Sequence, residues 1–290
     1  MKIVRIIGGL GNQMFQYALY IALKKKFPEE EILVDTSLFR GYNVHNGLEL
    51  ERVFGIELPQ ASFMQLIKLT KPTYNYNISR ITDNFLPSRK TELYDNSRPD
   101  LKRLIFSAGD RYYAGYWLDY RYTLDALSDI RNAYRFKLKI NDLTLKVLEK
   151  IESSLSSVSI HIRRGDYLKV SNYAGLCGVK YYEDAIKYII NNVDAPEFYV
   201  FSDDLDWCKF NLTKFLSGFR TKYVDWNKGT DSPLDMMLMS KCKHNIIANS
   251  SFSWWAATLN RNDCKIVCAP QIWTNNPSYC IFQRPEWILL

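Results

Sequence analysis

Histidine is scarce in this chain, with only His45, His161 and His244. The six cysteines, Cys177, Cys208, Cys242, Cys264, Cys268 and Cys280, form no CxxC pair. These shortages argue against a zinc site and leave the thiols as small packed hydrophobes of an intracellular protein. No run approaches the roughly 18 apolar residues that span a bilayer. The apolar stretch 14–23 is broken by Gln16 and follows glycines rather than a basic segment, unlike a signal peptide. Internal repeats and low-complexity linkers are absent as well. The expectation is a soluble, cytoplasmic protein.

What is present is a real core. The 290 residues suit one large domain or two ordinary ones. A composition of 47% hydrophobic and 24% charged residues excludes disorder, a collagen-like repeat and a small disulfide scaffold. The formal net charge of +7 suits an anionic partner: a nucleotide, a nucleic acid or an acidic membrane. A nucleic-acid module would add basic stripes, and there are none, so no nucleic-acid partner is expected. The 20 tyrosines and 7 tryptophans fit sugar or base stacking, and a bulky core equally well.

Residues 2–7 are β-branched and apolar, and they end at Gly8-Gly9-Leu10-Gly11. Phe15, Ala18, Leu19 and Ala22 then fall at helical spacing until Pro28, and 31–35 reads as the next strand. Strand, glycine turn, helix, strand opens a parallel α/β sheet. From about 40 to 130 the chain is rich in Tyr, Asn and Pro and shows no period. A second series follows, with strands over 157–163, 197–202, 221–225, 245–248 and, last, 265–269. Its helices fall over 181–192, 205–215, 233–241 and 252–260. The two series predict an α/β protein of two Rossmann-like domains facing a cleft, 1–150 and 151–290.

The densest polar cluster is Ser159-Ile160-His161-Ile162-Arg163-Arg164-Gly165-Asp166-Tyr167. Strand alternation sends Ile160 and Ile162 into the core and projects His161 and Arg163 together from the other face. They stand near the strand's carboxyl end, which faces the ligand crevice in open α/β sheets, where arginine grips phosphate bidentately. An Arg–Asp ion pair closing the loop is the competing reading. Gly8-Gly9-Leu10-Gly11-Asn12-Gln13 offers an anion close backbone approach and a helix start. It lacks both GxGxxG spacing and a P-loop GK[ST], and a plain tight turn fits as well. Asn249-Ser250-Ser251-Phe252-Ser253 reads either as phosphate contacts or as serine N-caps. Asp204-Leu205-Asp206 has a spacing that elsewhere holds a metal–nucleotide pair, but its place after a strand predicts a helix N-cap, and no metal is assigned.

Together these segments resemble glycosyltransferase family 11, the α-1,2-fucosyltransferases that use GDP-fucose. The resemblance rests on the run Gly8 to Ala18, on His161 to Tyr167, on Phe201-Ser202-Asp203-Asp204 and on the stretch from Asp235 to Trp255. Gly115-Tyr116-Trp117 and Tyr181-Tyr182 add fainter echoes, and Leu118-Asp119 stands where the family pattern places Gln-Ser. It implies a GT-B-like fold whose C-terminal half holds the donor, and inversion at fucose C1 with no cofactor and no metal. It implies that Arg163 binds the β-phosphate, that His161 and Asp235 contact the guanine and ribose side, and that Asn249, Ser250, Ser251 and Phe252 contact the diphosphate. Gly9, Gly11 and Asn12 close over the donor in this reading. Arg164, turned elsewhere by strand parity, is kept as a further donor contact.

The acceptor so implied is a galactose-terminated glycan taking fucose on its 2-hydroxyl. Other linkages, or a non-catalytic glycan binder, are the alternatives. A lipid-linked acceptor would let the net charge dock the protein on an anionic inner membrane. The leaving diphosphate gains charge in the transition state, for Arg163, backbone N–H groups and a helix N-terminus to stabilise. Asp166 is the first candidate for the base and Asp119 the second, Asp166 being equally suited to orienting an arginine.

Overall fold

A computed structural model of the chain describes residues 1–72, 75–95, 100–276 and 283–290. The chain divides into two compact units, Met1–Lys137 and Leu138–Pro277 with Gln283–Leu290. In the first, β1 (Lys2–Arg5), β2 (Ile32–Asp35), β3 (Glu92–Leu93) and β4 (Arg111–Tyr113) form a parallel sheet in the order β2-β1-β4-β3. Helix α1 (Leu10–Lys26) starts on Gly9 and closes with Lys24, Lys25 and Lys26, cations suited to the negative end of the helix dipole. The stretch from 40 to 130 resolves into short helices: α2 (Leu50–Phe54), α3 (Phe63–Leu69), α4 (Tyr76–Phe85), α5 (Leu101–Ile105) and α6 (Leu127–Ala133).

The second unit is a six-stranded parallel sheet in the order β10-β9-β8-β5-β6-β7. Its strands are β5 (Ser157–Ile162), β6 (Glu197–Ser202), β7 (Thr221–Val224), β8 (His244–Ile246), β9 (Val267–Ala269) and β10 (Ile288–Leu289). Its helices are α7 (Asp142–Ser153), α8 (Val179–Asn192), α9 (Leu205–Leu216), α10 (Pro233–Lys241) and α11 (Ser251–Leu259). Strand β5 is buried along its whole length. Val158, Ile160 and Ile162 share a core with Tyr182, Ala185, Ile186 and Ile189 of α8 and Cys208 and Leu212 of α9. On the opposite face Ser159 accepts from Asn245, whose own carbonyl accepts from Asn260. Burial of both faces is the rule for a parallel sheet covered by helices.

The second series is observed within two or three residues of its expected bounds, with two additions. The strand over 265–269 is not the last, because Ile288–Leu289 pairs in parallel beside β9. Helix α7 escapes periodicity because Leu143 and Leu145 stay 54% and 43% exposed and blur its apolar stripe. Its cap Asn141 and its Thr144 both donate to Asn227, and Thr144 accepts from Trp226. Those bonds tie α7 to the second unit and move the division from 150 to 137/138.

Strand order reverses once in the six-stranded sheet. From β5 the chain runs to β6 and β7 on one side, then returns to β8, β9 and β10 on the other, so the reversal lies between β5 and β8. In the first unit the chain steps from β1 to β2, crosses to β3 at the far edge and comes back to β4 beside β1. Among the described residues no helix is long and apolar enough to cross a membrane. Cys208, Cys242 and Cys268 are buried free thiols, as packing as small hydrophobes requires, and Cys264 is exposed. Cys280 lies outside the described residues.

Candidate active site

Ligands of open α/β sheets gather beyond the carboxyl ends of the strands, where the strand order reverses. In the second unit that position holds the loops leaving β5 and β8. Arg163 follows β5 directly. Its Nε donates to Asp166 Oδ1 at 2.8 Å and lies 3.3 Å from Asp203 Oδ2. The terminal guanidinium nitrogens donate to none of the described residues. The guanidinium carbon stands 5.8 Å from the centroid of the Tyr167 ring. Burial opposes the charge on Arg163, but Asp166 and Asp203 outweigh it and raise its pKa.

Asp203 shapes this loop. Its Oδ1 accepts the Arg164 N–H at 2.8 Å, and its Oδ2 accepts the Gly165 N–H at 3.1 Å. A Cβ on Gly165 would stand 3.0 Å from that Oδ2, so glycine alone fits without displacement. Arg164 turns away from Arg163, as parity requires. It pairs with Asp204 at 3.1 Å and lies 4.3 Å over the Trp207 ring. Asp204 also accepts the Trp207 N–H, which makes it the N-cap of α9 that the sequence predicts.

The His161 ring is buried, 5.8 Å from the Phe252 ring. Burial, and then the Arg163 charge, push its pKa down to about 3, so the imidazole is neutral. Its Nδ1 has no hydrogen-bond partner among the described residues. Ser250 caps α11 by accepting the Phe252 N–H, which leaves Ser251 and Phe252 half-exposed at the helix start. The Asn249 carboxamide is taken up by the Trp273 carbonyl at 3.2 Å and the Cys177 thiol at 3.4 Å. Asp235 sits in the first turn of α10 and accepts from Asn227 at 2.8 Å. Burial raises its pKa to about 7 against the opposing hydrogen bond from Asn227.

The glycine turn of the first unit is braced by two fully buried glutamines. Gln13 donates to the Gly8 and Gly47 carbonyls and accepts the Glu49 N–H. Gln16 accepts the Ile7 N–H and donates to the Gly115 carbonyl. Gly9 is the N-cap of α1, Gly11 lies inside its first turn, and the Asn12 carboxamide lies beside Gly8. Asp119 corrects an expectation. It is fully buried, held by both Nε and Nη2 of Arg121, and accepts the Arg121 N–H, so no oxygen remains for a substrate proton.

Sequence reading missed Asp203, Trp207 and the two glutamines as organisers. Parallel pairing sets Ile162 level with Ser202, which brings Arg163 beside Asp203 across neighbouring strands. Only the strand order reveals that contact.

The whole chain, residues 1–290, matches the profile described as Glycosyl transferase family 11. It is 34% identical over 276 residues to an alpha-1,2-colitosyltransferase of Escherichia coli, covering 93% of this chain and 91% of that one. It is 30% identical over 312 residues to the O-antigen biosynthesis glycosyltransferase WbnK of Escherichia coli, covering 98% of each. Among solved structures, the α-1,6-fucosyltransferase NodZ of Bradyrhizobium, soaked with GDP-fucose, superposes with a TM-score of 0.54 at 16% identity, covering 89% of this chain and 91% of that one. That likeness is one of fold, α/β and GT-B-like. The full-length match and the identity to two transferases of this kind establish that the chain belongs to glycosyltransferase family 11.

Proposed function

We propose that the protein transfers L-fucose from GDP-fucose, with inversion, to the 2-hydroxyl of a terminal galactoside. The observation that carries this reading is Arg163. It stands at the β5/β8 reversal, fixed through Nε, with a terminal fork that donates to no described residue and matches a diphosphate bidentately. The start of α11 at Ser251 and Phe252 adds N–H donors and the positive end of a dipole, with Ser250 and Asn249 holding the loop. Neutral His161 offers Nδ1 to the nucleoside, and Asp235, as carboxylate, suits the guanine N–H edge. Arg164 supports Arg163 through the shared loop.

As the C1–O bond to GDP breaks, its electron pair moves onto the β-phosphate oxygen, where Arg163 stabilises it. The acceptor oxygen attacks the opposite face of C1, which carries oxocarbenium-like charge. Its proton passes to a carboxylate. Asp166 orients Arg163 through Oδ1 and keeps Oδ2 for that proton. No metal is assigned, because Asp204 is already engaged by α9 and by Arg164.

A second reading is colitosyl transfer, favoured by the relative that is 34% identical. Colitose is fucose without its 3-hydroxyl, and the same diphosphate contacts serve both donors. The test gives the enzyme GDP-fucose or GDP-colitose with lactose, N-acetyllactosamine, galactose and GlcNAc-terminated acceptors, and assigns the product linkage by NMR. An α-1,2-fucosyl galactoside is expected. A product at the 3-, 4- or 6-hydroxyl, or exclusive use of GDP-colitose, overturns the proposal. In thermal-shift assays GDP should stabilise the protein more than UDP or CDP, and EDTA should leave turnover intact.

A further inference from the structure

We propose that helix α4 is a membrane-docking element. Its outward apolar stripe, Ile78, Ile81, Phe85 and Leu86, seats in the surface of an anionic phospholipid bilayer, with Lys68, Arg80 and Lys90 against the headgroups. The net charge of +7 alone gives such docking no address, and α4 supplies one. Docking requires neither the donor nor the acceptor assigned above.

Helix α4 is built inside out. Ile78, Ile81 and Phe85 recur at i, i+3 and i+7, and Leu86 follows at the C-cap, so the four line one stripe. A surface helix ordinarily turns such a stripe to the core. Here it faces solvent: Ile81 is 60% and Phe85 80% exposed, and Ile78 and Leu86 are exposed too. The side that packs on the protein is small and polar. Ser79 is buried, and Thr82 is half-buried with its hydroxyl donating to the Ser79 carbonyl. The orientation is fixed at the helix start. The Asn75 side chain accepts the Ile78 N–H, the Tyr76 N–H donates to the Arg40 carbonyl, and the Tyr76 ring lies edge-on to Tyr42 at 5.1 Å. Rotating the stripe inward would break these contacts.

Charge selects the occupant. Residues 63–90 contain Lys68, Lys71, Arg80, Arg89 and Lys90 against the single acid Asp83. Lys68, Arg80 and Lys90 are exposed and pair with none of the described residues. Arg89 donates to the Ile67 and Lys68 carbonyls, which joins the last turn of α3, with Lys68, to the segment after Leu86, with Lys90. A short apolar stripe with an aromatic ring and flanking cations suits the headgroup boundary of an anionic leaflet. There the aliphatic stems bury while the charged heads stay among phosphates. A protein partner fits less well, because the cores of protein interfaces are depleted of lysine. A second copy fits worst, since twofold pairing through the same stripe would bring the unpaired cations of both copies together.

The experiment is cosedimentation of the full chain with vesicles of phosphatidylethanolamine and phosphatidylglycerol, and separately with vesicles of phosphatidylcholine. Thermal unfolding and sedimentation velocity are measured for each variant. The parent should bind the anionic vesicles in preference, and more weakly as salt rises. Ile81→Ser combined with Phe85→Ser should weaken that binding at least about tenfold with Tm unchanged. Lys68→Gln combined with Lys90→Gln should weaken it about thirtyfold. Lys146→Gln combined with Lys150→Gln, an equal charge change on α7 of the second unit, should bind like the parent. Absence of binding to the anionic vesicles, undiminished binding by the Lys68/Lys90 variant, or equal losses from the two lysine pairs overturns the proposal. So does undiminished binding by the serine variant. If the serine variant lowers Tm, the lysine pairs decide. Self-association of the parent that the serine variant abolishes, without vesicle binding, would assign the stripe to a second copy and overturn membrane docking. Every readout is binding, so failure of the proposed fucosyl transfer leaves the outcome unchanged.

Discussion

Asp203→Ala should damage catalysis more than it damages the fold. The carboxylate accepts the Arg164 and Gly165 N–H groups at 2.8 and 3.1 Å and lies 3.3 Å from Arg163 Nε. Hydrogen bonds to charged groups contribute about 1.5–3 kcal/mol each. The Asp203 side chain is 25% exposed, so water replaces part of each bond. About 1 kcal/mol per backbone bond is then reasonable, or about 2 kcal/mol for the pair. The partly exposed ion pair with Arg163 adds little. At about 1.4 kcal/mol per factor of ten, a loop held less firmly by that amount presents Arg163 correctly up to about thirtyfold less often. The same loss lowers Tm by only a few degrees in a chain of this size. The assay is turnover of GDP-fucose with a galactoside acceptor, measured beside thermal unfolding. Asp203→Asn keeps one carbonyl acceptor and should fall between the parent and Asp203→Ala. Gly165→Ala brings a methyl to 3.0 Å from the same oxygen and should cause a smaller loss in the same direction. If Asp203→Ala lowered Tm but left kcat within twofold of the parent, positioning of Arg163 by Asp203 would be refuted.

Arg163→Ala should lower kcat on the order of 100- to 1000-fold, and Arg163→Lys should recover little because an ammonium lacks the planar fork. Comparable kcat for the lysine variant would contradict bidentate diphosphate binding. His161, with a pKa of about 3 against 6.5, should show no ring titration by NMR between pH 5 and 8. Its unfolded form binds the extra proton, so its contribution to stability falls as pH drops from 6.5 towards 3, and His161→Phe should flatten that part of the acid limb. Asp235 runs the other way. Its pKa of about 7 against 3.8 means the folded state holds the extra proton, so stability declines as pH rises from about 4 to 7. GDP recognition by the carboxylate predicts about tenfold tighter binding at pH 8 than at pH 6, abolished in Asp235→Asn. Equal affinities of the parent protein at the two pH values would remove Asp235 from the donor site.

Local chemistry alone determined much of this protein. Alternation placed Ile160 and Ile162 in the core and sent Arg163 and Arg164 apart, and residues suited to capping started α9 and α11 at Asp204 and Ser250. Those features depend on neighbours along the chain, so they can be read from it. Strand order depends on none of them. Arg163 and Asp203 meet because β5 pairs with β6, and His161 meets Phe252 because the chain returns past β5 to form β8. Alternation tells which face a residue takes, and only burial of the whole sheet decides which strand lies beside it. The same limit hid the fate of Asp119, a plausible base in the sequence, which the folded chain encloses beside Arg121.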